Sequence, residues 1–308
     1  MLFLFKSIIF VKLIQQCIQQ DVELKVKNVT LKIKGHSGKI VLSRVYSNPK
    51  ESDSLEIRFG SITEKDMNGT EVGKTGSVKH SFNNFAQLDF EVMPVVETTF
   101  QNLSVFQTSL NAKIVTNVTS FTGTFYIFKQ NGTIDTGNNN FQDVKERNVK
   151  FSIEIKNWPF CKPSDQCTGP NCCINQNVNE IGSFIDFTLE LSGSKNPSNS
   201  SSYKYDLGNG QFILSQYCML DNSWTKLPNN YPNYSHDNNT EYFTFRFPTF
   251  QKTLMYDPIV QIGIEDTSKS HLALIIGIII GVILAIAIVS VGIYCYKKRN
   301  SQTTENLI

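Results

Sequence analysis

The chain has 308 residues, with 29 Lys and Arg against 27 Asp and Glu, a formal net charge of +2. That balance excludes a protein built around a basic nucleic-acid surface, and equally one built on an acidic tract for mineral or cations. Hydrophobic residues make up 40% of the chain, enough for a sizeable core, and the seven cysteines suit an oxidising compartment.

In chain order, Met1 to about Gln20 sets Lys6 before an apolar stretch from Ile8 to Ile14 and reads as a secretory signal peptide. Lys12 interrupts the apolar run and no A-x-A-like site follows, so cleavage is expected at a bond between Gln16 and Asp21. Val22, Leu24 and Val26 alternate with charged residues, and the alternation resumes out of phase at Val29, Leu31 and Ile33. Period two is the strand signal, and the slip at Asn28 predicts a bulge or turn. A turn at Gly35–Gly38 leads to a strand over Ile40–Tyr46, and Leu55–Ile62 is the next. Asn131-Gly132, between apolar runs in GTFYIFKQNGTI, predicts a tight hairpin. Val149–Trp158 and Phe184–Gly193 alternate cleanly, Ser194–Ser202 is a polar loop, and Tyr242–Phe250 and Ile259–Ile264 close the head. With no amphipathic helix before residue 271, the prediction is an all-β ectodomain, sandwich-like, as one large sandwich or two smaller ones. The Cys-rich loop at 159–180 is the one boundary such a division would use.

Residues 272–296 read LALIIGIIIGVILAIAIVSVGIYCY, uninterrupted by charge and followed by Lys297, Lys298 and Arg299. As a helix this run reaches roughly 37 Å, enough for a hydrocarbon core of about 30 Å, and the trailing cations place its C-terminal end in the cytoplasm. The predicted organisation is a signal peptide (1–20), an extracellular β-rich domain (21–266), a short stalk (267–271), a transmembrane helix (272–296) and a cytoplasmic tail (297–308). The protein is thus expected in the cell membrane as a single-pass glycoprotein with its N-terminus outside. Taking away the five Lys and Arg of the two ends leaves 24 in the head, against 26 Asp and Glu.

Eight N-x-[ST] sequons precede the membrane segment, at Asn28, Asn68, Asn102, Asn117, Asn131, Asn199, Asn233 and Asn238. Each modified one must face solvent. Cys17 is expected to leave with the signal peptide, and Cys295 sits at the inner membrane edge. Cys161, Cys167, Cys172, Cys173 and Cys218 remain outside, four of them within CKPSDQCTGPNCC. The spacing C-x5-C-x4-C-C lacks the paired C-x2-C of zinc ribbons, so disulfides are expected rather than a metal. Five is odd: one thiol is free or pairs between chains, or Cys17 survives and makes six. Adjacent Cys172 and Cys173 are expected to bond different partners, pinning the loop to the strand or turn that holds Cys218.

The segments VKFSIEIKNWPFC, GSFIDFTLEL, and FRFPTF followed by LMYDPIVQIG occur in that order. Over most of residues 21–265 the chain resembles the ectodomain of coral skeletal organic matrix proteins, the skeletal aspartic acid-rich type among them, and related protist surface proteins. The resemblance implies an extracellular or membrane-anchored protein and assigns no catalytic residue. The chain departs from the acidic members in lacking their long Asp and Glu tracts, which tells against a mineral-binding role.

Little in the sequence carries chemistry. His36, His80, His236 and His271 are scattered without metal spacing, and no G-x-S-x-G elbow or P-loop is present. No enzyme activity and no cofactor are expected. Asp206 and Asn209, in YDLGNGQF, are weak calcium candidates, against the plainer reading of a hairpin with Asn209-Gly210 at its tip. Asp257-Pro258 reads as a turn before the last strand. Trp158 reads as core, and Trp224 as an exposed contact. In the membrane segment Gly277, Gly281 and Ala285 form a small-residue face that suits helix pairing, hence a homodimer. The tail is too short for an enzymatic domain, and Glu305–Ile308 is a weak match to a sorting signal. Two functions fit: extracellular adhesion or recognition of a protein or glycan ligand, and a structural cell-coat or matrix component, shed or retained. A partner nucleic acid is not expected.

Overall fold

The computed structural model describes residues 21–262 apart from 36, 46–51, 74–78, 86–87, 116–117, 164–165, 167, 176–177, 194–197, 202 and 209. The expected signal peptide, stalk, membrane helix and tail lie outside these residues, as do Cys17, Cys295, Gly277, Gly281 and Ala285. Among the described residues no helix is long and apolar enough to cross a membrane. The chain divides into two units, Met1–Gly263 and Ile264–Ile308. The first is all-β among its described residues.

The chain lays down its strands layer by layer. β1 (Val22–Val26), β2 (Val29–Lys34), β3 (Lys39–Val45), β4 (Ser52–Lys65) and the short β5 (Ser81–Phe82) open one sheet. β6 (Glu91–Val92), β7 (Val96–Phe100), β8 (Leu103–Ile114) and β9 (Thr119–Phe128) begin the other. A separate hairpin, β10 (Gly132–Asp135) and β11 (Phe141–Val144), precedes β12 (Val149–Lys156), which returns to the second sheet. After the Cys-rich loop, with its small hairpin β13 (Ile174–Asn175) and β14 (Val178–Asn179), β15 (Phe184–Ser192) joins the first sheet. β16 (Ser198–Ser201), β17 (Lys204–Asp206), β18 (Gly210–Ile213), β19 (Tyr217–Leu220) and β20 (Ser223–Lys226) extend the second. β21 (Asn233–Asp237) and β22 (Thr240–Pro248) return to the first, and β23 (Thr253–Tyr256) and β24 (Ile259–Ile262) end in the second. The order β1-β2-β3-β4-β15-β22-β21, with β5 against β4, makes an eight-stranded sheet; the other has twelve strands. Every strand pairing is antiparallel, and the inward positions of both sheets feed one continuous core. The head is therefore one large sandwich rather than two.

Alternation explains most of the faces. In β2, β9 and β22 every second residue is buried, as period two requires of a sheet wet on one side. Phe59 of the first sheet meets Phe121 of the second at 5.0 Å between ring centroids, with Phe85, Phe90 and Phe187 packed around them. Each such ring contributes roughly 1.5–3 kcal/mol by burial. β4 changes phase midway. Its pairing to β15 slips between Thr188 and Leu189, leaving Gly60 as the extra residue of a bulge. Leu55, Ile57 and Phe59 point inward before it, and Ile62 and Glu64 after it.

Two expected hairpins differ in outcome. Asn131-Gly132 does not turn β9 back on β10: β9 pairs β8 and β12, and Gly132 opens a hairpin whose turn lies at 136–140. The long run of β9 is used up in two flanking ladders, so the local turn signal has no partner strand to serve. The YDLGNGQF hairpin does form, as β17–β18, closed by the Leu207 amide donating to the Gly210 carbonyl. Its tip falls one residue earlier than expected, since Gly210 already belongs to β18.

Candidate functional site

β12 buries both of its faces, and that places the first candidate site. Val149, Phe151, Ile153 and Ile155 point into the main core. Lys150 and Ser152 point the other way, to what simple alternation makes the wet face. A second apolar cluster of Val105, Phe128, Ile134, Val144 and Ile259, flanked by Phe100, Leu103, Tyr126 and Ile213, covers that face, with the β10–β11 hairpin supplying Ile134 and Val144. Lys150 is fully buried beneath it.

The last strand completes the site. β23 and β24 pair β12 in one shared register, interrupted by Asp257-Pro258 opposite Phe151 and Ser152. Proline has no N–H to continue the ladder, but its carbonyl accepts the Phe151 amide at 3.2 Å. The expected turn is thus a break within one strand line, from which β23 pairs onward to β19 and β24 to β18. Lys150 Nζ donates to Ser152 Oγ at 2.7 Å and lies 3.0 Å from Asp257 Oδ1. Oδ1 itself is buried and makes no contact that meets hydrogen-bond angles, so the pair is held by charge and proximity. The ammonium also lies 4.6 Å from the Phe100 ring centroid and 5.3 Å from that of Tyr126. Burial drives the Lys150 pKa below the ordinary lysine value, against the opposing pull of Asp257. Burial, and secondarily the Asp257 charge, raises that of Tyr126.

Asp257 also faces a cleft of about 210 Å³, lined by Thr136, Asn140, Gln142, Tyr203, Lys204, Ser215, Gln216 and apolar neighbours. Amides, hydroxyls and a phenol ring beside one carboxylate suit a polar, hydroxyl-bearing ligand such as a sugar. At the neighbouring β10–β11 turn, Trp224 packs over Gly137: a methyl there would stand 2.7 Å from the ring. Gly137, at φ +127°, is required both by conformation and by this contact. Trp224 remains 39% exposed.

A second constellation forms at the inner face of the end of β4. The Gly60 bulge turns Glu64 inward, where it is fully buried. Its Oε2 accepts Trp158 Nε1–H at 2.7 Å, its Oε1 accepts the Cys161 amide at 2.7 Å, and His80 Nδ1 lies 2.6 Å from Oε2. His80 Nε2 donates to the Pro170 carbonyl at 2.8 Å, which fixes a proton on that nitrogen. Trp158 is core, as its position predicts, but its indole N–H is what ties the end of β12 to Glu64. Two glycines leave room: a methyl at Gly182 would stand 1.6 Å from Glu64 Oε1, and one at Gly73 2.6 Å from His80 Cβ.

The cysteines close around this group. Cys161 and Cys173 form a disulfide, and Cys172 is disulfide-bonded as well, so the adjacent pair does bond to different partners. Cys167 lies outside the described residues. Cys218 is a correction: it is a free, buried thiol on β19 and does not pin the loop. It sits in the core of the second sheet, its sulfur toward the Thr225 carbonyl at 3.6 Å, while the Cys-rich loop folds over β4 and Glu64. Burial pushes its pKa up to about 12. His80 Nδ1 is 3.4 Å from Cys161 Sγ and 3.8 Å from Cys173 Sγ, a three-ligand cluster that spacing did not reveal. Both sulfurs are already bonded to one another, so this arrangement is a staple and not a metal centre.

The other expected positions are dispersed. Asp206 Oδ1 accepts the Gly208 amide at 2.8 Å within the hairpin turn, and Asn209 lies outside the described residues. Of the sequons, Asn68, Asn102, Asn131, Asn233 and Asn238 are exposed, at turns or on the edge strand β21. Asn28 is half-buried in the β1–β2 turn, its Oδ1 accepting from Arg147. Asn199 lies in β16 and Asn117 outside the described residues. His36 and His271 are also outside them. His236, on β21, contacts the buried Glu241 at 2.8 Å, and Glu241 also accepts the Tyr234 hydroxyl.

With both sites in view, the comparison with known families is decisive. A family model described as acidic skeletal organic matrix protein matches residues 10–204 and 192–290. The chain belongs to that family. The match runs through both sheets, the Lys150–Asp257 pair, the Glu64 cluster and into the apolar segment beyond residue 272. In this member the charge is near balance, unlike the acidity in the family's description.

Proposed function

We propose that the protein is a structural component of an extracellular organic matrix, with its sandwich head displayed from the cell surface by the segment 272–296. The observation that carries this reading is the family match, which spans most of the head and extends to residue 290. The disulfides around the Glu64 cluster and the five exposed sequon asparagines support an extracellular head. The head's near-neutral charge favours protein and glycan contacts over mineral binding, because no strong field exists to gather calcium or carbonate. A second reading, adhesion or recognition, rests on the cleft beside Asp257 and on the exposed Trp224, an arrangement suited to a sugar. Neither reading calls on catalysis.

Fractionation of the source cells tests the first reading. Matrix incorporation predicts that part of the protein resists detergent and pellets with extracellular material. Complete release by mild detergent, with a tagged head that binds the same cells saturably, would replace it with the adhesion reading.

A further inference from the structure

The buried lysine beneath the β10–β11 hairpin has a partner placed for covalent chemistry. We propose that Lys150 and Asp257 join through their side chains as an intramolecular amide, a covalent cross-link between β12 and the strand line β23–β24.

Nitrogen and carboxyl oxygen are 3.0 Å apart, on adjacent strands in fixed register. Contact at that oxygen brings the carboxyl carbon bonded to it within reach of the amine nitrogen. The amine is enclosed by Phe100, Tyr126 and the second apolar cluster. In such surroundings the ammonium loses its hydration, which favours the neutral amine. The lowered pKa of Lys150 points the same way, since only the neutral amine is a nucleophile. Asp257 Oδ1, buried without a properly directed hydrogen bond, is not otherwise engaged.

The step balances without an oxidant or cofactor. A proton passes from the ammonium to the carboxylate, leaving amine and acid. The amine nitrogen then attacks the Asp257 carboxyl carbon and forms the new C–N bond. The hydroxyl of the acid departs with one amine proton as a single water. Ser152 Oγ, which accepts from Nζ at 2.7 Å, offers a relay for the moving proton. The cleft that Asp257 faces gives the water a way out. Asp257 lies in the last strand line before the apolar segment at 272–296, so the bond would fasten the end of the head into the middle of its larger sheet.

Peptide mass spectrometry of the full chain, made in a secreting cell, deglycosylated, reduced and digested with trypsin, tests this directly. An amidated Lys150 resists cleavage. The expected product is residues 148–156 joined to residues 253–269, lighter than the two peptides together by one water. Recovery only of the separate peptides 148–150, 151–156 and 253–269 would overturn the proposal. Lys150→Met, which keeps an unbranched apolar stem under the hairpin, must abolish the joined species; its persistence would place the link elsewhere and equally overturn the assignment.

Discussion

Glu64 shows how one carboxylate organises a buried region. It takes hydrogen bonds from an indole and a main-chain amide and closes against His80, with no water-facing surface. Removing one member of such a group strands the others, so Glu64→Ala should cost about 3–5 kcal/mol in urea unfolding. A loss below about 1 kcal/mol would mean the cluster is solvated in solution. Cys218 makes a separate, pH-dependent prediction. Its thiol holds a proton to about 12 in the folded head, against 9.0 ordinarily. The folded-state value is raised, so this contribution is complete below pH 9.0 and is lost as pH climbs toward 12. Urea midpoints of Cys218→Ala should fall less than wild type across that window, and the native thiol should ignore thiol reagents until the head unfolds. Equal alkaline loss in both proteins would assign the effect to other groups.

Among the elements, β4 and the Cys-rich loop are interdependent. Gly60 supplies the extra residue that carries Glu64 from the outer to the inner face. A Gly60 deletion should restore simple alternation, turn Glu64 to solvent and release the loop. Limited proteolysis would then cut within residues 162–182 far faster than in wild type; unchanged protection would show that the disulfides alone hold the loop. The Cys161–Cys173 bond, across a separation of 12 residues, should itself contribute about 3 kcal/mol by restricting the unfolded chain. Serine at both positions, followed by thermal unfolding, measures it, and an unshifted midpoint would contradict that account.

For the whole molecule, the function proposed above has the apolar segment 272–296 hold the sandwich at the membrane. As a helix, that run would set Gly277, Gly281 and Ala285 at the spacing that suits close approach of two copies. Replacing both glycines with Leu should cut the yield of crosslinked dimer in membranes several-fold. An unchanged yield would move any self-association to the head.

The period-two alternation of β2, β12, β15 and β22 was legible residue by residue, because the pleat imposes it locally. The apolar run before Lys297, the sequons and the crowding of four cysteines could likewise be read without coordinates. Alternation, however, tells only that Lys150 and Phe151 face opposite ways. That the preceding hairpin folds back over the lysine, and that a broken last strand about a hundred residues on brings Asp257 beside it, follows from tertiary packing and not from alternation. The same holds for His80 beside Cys161 and for Cys218 left alone: local sequence reports spacing along the chain, and only the packing of the two sheets sets distance across it. The sequence by itself determined the alternation of the regular strands and the position of the apolar run; the tertiary structure decided which faces are covered and which polar groups meet, because burial depends on what arrives from elsewhere in the chain.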